Sequence, residues 1–106
     1  MSGEPSFVVL MQVHLHFPQA GSLKGKRAEL NRLKALLRER LHVSVAEVAH
    51  QDAWQRSTLA VAIAAGSAAG AAHAADTVER ALEQRLPQGM RVERRLTSWA
   101  DLESLG

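Results

Sequence analysis

The segment His50-Gln51-Asp52-Ala53-Trp54-Gln55-Arg56 gathers the side chains best suited to chemistry at neutral pH. A histidine near an aspartate can serve as a general base, and an adjacent arginine can hold an anionic substrate. Against catalysis, no serine or cysteine elbow accompanies them, and a polar hairpin is an exposed place from which to exclude water. The plainer alternative is a turn in which Asp52 accepts hydrogen bonds from nearby backbone N–H groups. No catalytic residue is assigned. His50, Gln51, Asp52, Trp54 and Gln55 form a hairpin motif of undetermined role, and Trp54 is expected to pin the turn to the domain rather than stack on a base.

A second run, Ser22-Leu23-Lys24-Gly25-Lys26-Arg27, suits anion binding. Ser22 is a good N-cap for a following helix, whose first N–H groups carry partial positive charge. Ser22, Lys24, Lys26 and Arg27 surround that end with donors suited to phosphate, and Gly25 allows close backbone approach. No full glycine-rich phosphate loop precedes the helix, so the signal is weaker than that motif. Seven of the thirteen lysines and arginines lie between Lys24 and Arg40, where only Glu29 and Glu39 oppose them. A chain of formal net charge +2 thus carries a local excess of five positive charges on one element. Lys34 and Arg38 continue the track and Arg56 joins it from the hairpin; such contacts go mainly to phosphates and weaken with salt. A solvated helix face is the alternative.

His14 and His16 share a strand face at a spacing that can hold zinc if a third ligand arrives, with His50 the candidate. Polar histidines on an open face are the favoured reading, and neither metal nor cofactor is assigned. The absence of cysteine rules out disulfides and thiolate chemistry and agrees with a cytoplasmic location. Glu4 and Pro5 before the short apolar run at Phe7 to Met11 do not resemble a signal peptide. The alanine-rich stretch from Ala60 to Ala75 is interrupted by Gly66, Ser67, Gly70 and His73, too short and weakly apolar to span a bilayer. Neither a membrane partner nor a small-molecule substrate is expected.

The elements that must position these residues follow from periodicity. Phe7, Val9, Met11, Val13 and Leu15 alternate with Val8, Leu10, Gln12, His14 and His16, the pattern of a strand with one apolar face. Leu23, Leu30, Leu33, Leu37 and Leu41 then recur at helical spacing, with Lys24, Arg27, Lys34 and Arg38 on an adjacent stripe. Val43, Val45 and Val48 mark a second strand, and Leu59, Val61 and Ile63 the inner face of a third, joined as an antiparallel hairpin. Ser67 caps a second helix running to about Leu86, stopped by Pro87 and Gly89. Met90, Val92 and Leu96 give the inner face of a last strand, and the tail from Ser98, with Trp99, either packs back or stays mobile.

Strand, helix, strand, strand, helix, strand predicts an α+β ferredoxin-like βαββαβ sandwich: a four-stranded antiparallel sheet with two helices on one face. The 106 residues fit one domain, with its core over 7–97 and a tail over 98–106. The open sheet face would carry Val8, Leu10, Ala60 and Ala62, which serve either as a dimer contact or as modest apolar exposure with no partner.

The segments Ser22-Leu23-Lys24-x-Lys26-Arg27 and Val43-Ser44-Val45-Ala46-Glu47-Val48-x-His50-Gln51-Asp52-x-Trp54-Gln55-Arg56 closely resemble the bacterial YlxP-like proteins. The resemblance covers roughly residues 7 to 97. It implies the same ferredoxin-like fold and, because genes of that family sit among translation genes, a link to translation or ribosome maturation. It brings no catalytic residues. Gly25 and Ala49 depart from the commoner pattern, in which acids are frequent, and both departures raise local positive charge.

The functional expectation is a non-enzymatic protein whose basic first helix contacts RNA, with ribosomal RNA or a ribosome-assembly factor as partner. The alternative is a homodimeric interaction module using the open sheet face. A mechanism of the RNA-recognition-motif kind is disfavoured, since Phe7, Phe17, Trp54 and Trp99 are the only aromatic residues and Phe7 belongs to the core.

Overall fold

In a computed structural model that describes residues 4–86 and 89–106, the alternation at the N-terminus forms strand β1, Phe7–His16. Val9, Met11, Val13 and Leu15 are buried on one face, while Leu10, Gln12 and His16 are exposed on the other. Helix α1 covers Leu23–Ala35, capped by Ser22, whose hydroxyl accepts from the Gly25 N–H at 3.0 Å. It runs into a wider, π-helical segment, Leu36–Arg40, in which the Leu41 N–H reaches back to the Leu36 carbonyl. His42, in the left-handed region at φ 56°, turns the chain out of the helix.

Strands β2 (Ser44–Ala49) and β3 (Arg56–Ala65) form the hairpin, α2 spans Ala68–Arg85 under a Ser67 cap, and β4 spans Met90–Ser98. Pro87, expected to stop α2, lies outside the described residues. The sheet order is β2-β3-β1-β4 with every neighbouring pair antiparallel, the ferredoxin-like arrangement the element order predicts. Gly89 lies where β4 begins against the end of β1: a Cβ there would stand 2.7 Å from both Cβ and O of His16, so only glycine fits.

The core lies between the sheet and the helices. Leu30, Leu33 and Leu37 enter it from the first helix and Ala71, Ala75, Val78 and Leu82 from α2. The buried alanines let α2 sit close on β1, β3 and β4, whereas the leucines hold α1 further out. A groove of about 520 Å³ remains along α1, lined by Arg32, Leu33, Leu36, Arg40, Arg85 and Leu86 among others. Leu96, expected inward, is 47% exposed near the end of edge strand β4.

The tail neither packs back nor trails: Trp99–Leu105 forms a short helix, α3, whose cap Ser98 accepts from the Asp101 N–H at 3.1 Å. The Trp99 N–H bonds the Ser6 carbonyl at 2.9 Å, yet Trp99, Leu102 and Leu105 stay exposed. No helix of the described residues is long and apolar enough to cross a membrane.

Candidate nucleic-acid interface

Lys26 organises the region where α1 meets the hairpin. It lies four residues before Leu30 and seven before Leu33, on the buried side of α1, and is fully buried. Its Nζ donates to the His50 carbonyl at 2.8 Å, to the Gln51 carbonyl at 3.4 Å, and to Glu47 Oε2 at 3.4 Å. Ser57 donates its hydroxyl to the same Glu47 oxygen at 2.8 Å. Two backbone carbonyls and a carboxylate offset the cost of burying an ammonium. Placing Lys26 among the exposed phosphate donors is therefore corrected: its charge is spent inside the protein.

The hairpin geometry makes this possible. Glu47 holds the inward position of β2, two residues after buried Val45, and the register against β3 shifts between Glu47 and Ala49. His50 then takes a left-handed conformation at φ 64°, and the Ala53 N–H closes a turn on its carbonyl. The carbonyls of His50 and Gln51 thereby converge on Lys26. Asp52, expected to organise the turn, accepts no hydrogen bond among the described residues, and Trp54, expected to pin it, is 55% exposed. Pinning falls instead to Lys26, to the Phe17 N–H donating to the Gln55 carbonyl at 2.8 Å, and to Gln55 Nε2 reaching the Pro18 carbonyl at 3.4 Å.

Outside this network the basic stripe faces solvent. Lys24, Arg27 and Arg38 are exposed and Lys34 is half-buried on the same flank. Arg38 Nη2 donates to the Val45 carbonyl at 2.8 Å, which places that flank beside the β2 edge. Arg32 and Arg40 point to the other side, into the groove with Arg85, where Glu29 and Glu39 accompany them. Arg56 is exposed at the start of β3, beside Trp54. All ion pairs of the described residues lie elsewhere or inward, so none of Lys24, Arg27, Lys34, Arg38 and Arg56 is matched by a carboxylate. Ser22 stands at the head of this flank with its hydroxyl engaged as the cap.

The remaining polar clusters serve the sheet. His14 bonds Glu93 at 2.9 Å and Thr58 at 3.3 Å across the open face. The hydrogen bond from His14, with the nearby Arg91, lowers the Glu93 pKa below the ordinary carboxylate value. Among the described residues no three histidine or acidic side chains gather in a way that could hold a metal. On the helix side Arg94 reaches Asp76 of α2 at 2.6 Å and Glu79 at 3.7 Å. The bond from Arg94 lowers the Asp76 pKa and raises that of Arg94.

Sequence reasoning missed Glu47, Ser57 and Arg94 as partners. A signal existed for Glu47, an acid in the inward phase of an otherwise apolar strand face. Arg94 likewise occupies the inward phase of β4, between Val92 and Leu96.

Fold and surface together define a ferredoxin-like α+β protein with a basic helix flank locked to a polar hairpin. Residues 8–95 match the family described as protein of unknown function (DUF503), and the chain belongs to that family. It is similar to the uncharacterized protein YlxP of Bacillus subtilis (strain 168), with 42% identity over 48 residues, 45% of this chain and 52% of the relative. The match thus spans about half the length of that relative. Among solved structures, the de novo designed protein Foldit4 superposes with a TM-score of 0.53 at 16% identity, over 87% of this chain and 96% of that one. That likeness concerns the fold alone.

Proposed function

We propose that this protein binds RNA through the flank formed by Lys24, Arg27, Lys34 and Arg38, with Arg56 extending it from the hairpin. The observation that carries the reading is the division of labour among the basic residues of the first helix. Lys26 is neutralised inward by Glu47, while Lys24, Arg27 and Arg38 are exposed, Lys34 is half-buried, and none of these four has a carboxylate partner among the described residues. Unmatched cations lined up beside a sheet edge repel one another unless a polyanion neutralises them. Their natural partner is a phosphate backbone, and ribosomal RNA is the target that the family resemblance favours.

The test is a charge reversal that spares structural contacts. Arg38 also holds the Val45 carbonyl, so the variant carries Lys24→Glu, Arg27→Glu and Lys34→Glu only. It is expected to fold with an unchanged far-ultraviolet spectrum and to lose measurable affinity for ribosomal RNA in filter binding. Wild-type affinity in the triple variant refutes the assignment.

A second reading rests on the open sheet face. Leu10 is 51% exposed there, and Ala46, Ala60, Ala62 and Ala64 leave the centre of the face uncovered. Small side chains permit close approach of a second sheet, which supports a homodimeric interaction module.

A further inference from the structure

Trp54 is exposed at the tip of a hairpin that other groups hold in place. Lys26, the Phe17 N–H and the Gln55 amide make that attachment, and the indole takes part in none of these hydrogen bonds. A tryptophan displayed on so firmly braced a support loses little conformational freedom when its ring meets a partner. Trp54 lines an open hollow of about 520 Å³ with His16, Ala53, Gln55 and Arg56. Arg56 is exposed and His16 is exposed at the end of β1, so a flat aromatic face lies next to a guanidinium and an imidazole. The Lys26 bonds tie this hairpin to the first turn of α1, where Lys24 and Arg27 are exposed.

An aromatic platform beside cations is the composition of a single-strand site, in which the base stacks and the backbone follows the positive track. The bases of a duplex are stacked inside it and cannot reach an indole. Resting on the RNA reading above, we infer that Trp54, with His16 and Arg56 beside it, stacks an unpaired nucleobase, and that the ligand of the basic flank is single-stranded RNA.

The test uses the full chain carrying Trp99→Phe, which leaves Trp54 as the sole tryptophan and its fluorescence as a local reporter. Three probes are titrated: an oligouridylate of about eight nucleotides, the same backbone with abasic riboses, and an RNA duplex of equal length. The oligouridylate is expected to quench Trp54 and to bind about tenfold or more tightly than the abasic chain and the duplex. Trp54→Ala, at an exposed position, is expected to remove that advantage and make the oligouridylate and abasic chain equivalent, while Trp54→Phe keeps part of it. Equal binding of oligouridylate and abasic chain without quenching, still lost in the Lys24, Arg27 and Lys34 reversal, overturns the stacking inference and leaves the RNA reading standing. Absence of binding to all three probes overturns both.

Discussion

Lys26 decides more about this protein than any other single side chain, because it ties the cation-bearing first helix to the β2–β3 hairpin. Replacing it with methionine keeps the aliphatic volume but leaves Glu47 buried beside two carbonyls with no cation. Breaking a buried pair by removing one partner costs about 3–5 kcal/mol, so Lys26→Met should unfold at markedly lower urea, and Lys26→Met with Glu47→Gln should recover part of the loss. A loss below about 1 kcal/mol in urea titrations would show that the network is not what locks the hairpin. The inward phase of Lys26 was legible in its spacing to Leu30, Leu33 and Leu37. Its two carbonyl partners were not, because they depend on the register shift in β2 and on the left-handed His50, and neither has a glycine or asparagine to announce it.

At the scale of elements, β4 is the edge strand held to α2 through Arg94. Asp76 and Glu93 both have folded pKa values depressed below the ordinary carboxylate value, by hydrogen bonds from Arg94 and His14 respectively. A depressed carboxylate contributes stability that is present above its unfolded pKa and is lost as pH falls through the folded value. Thermal stability is therefore expected to fall on acidification through and below the ordinary carboxylate range, and Arg94→Met should flatten that fall by returning Asp76 toward normal. An unchanged acid limb in the variant would show that the pair contributes nothing to it. The sheet and its two long helices were readable because their apolar periods persist over many residues. The short α3 was not: seven residues give Trp99, Leu102 and Leu105 only two intervals to display, despite the Ser98 cap. The π-helical segment was equally silent, since it arises where the chain leaves the helix at His42 and no proline or glycine marks it.

On the scale of the whole molecule, charge is sorted among surfaces. One flank of the first helix carries unmatched cations, the opposite groove mixes Arg32, Arg40 and Arg85 with Glu29 and Glu39, and the open sheet face is alanine-rich at its centre. The two readings of function use different surfaces and separate cleanly. If the sheet face pairs two copies, light scattering should report a dimer that Ala60→Glu or Ala62→Glu dissociates while the helix reversal leaves it intact; a monomer at all concentrations rejects that reading. The stripe of Lys24, Arg27, Lys34 and Arg38 was legible in composition and helical spacing, but the neutralisation of Lys26 was not, because it depends on where the hairpin turn brings its carbonyls. Whether the basic flank binds RNA is decided by the affinity of the full chain for ribosomal RNA across a salt series. Four phosphate contacts from Lys24, Arg27, Lys34 and Arg38 predict that log K falls against log salt with a slope of about −3, and that the triple reversal abolishes the dependence together with the binding. A salt-independent affinity, or one that the reversal leaves unchanged, would contradict the account.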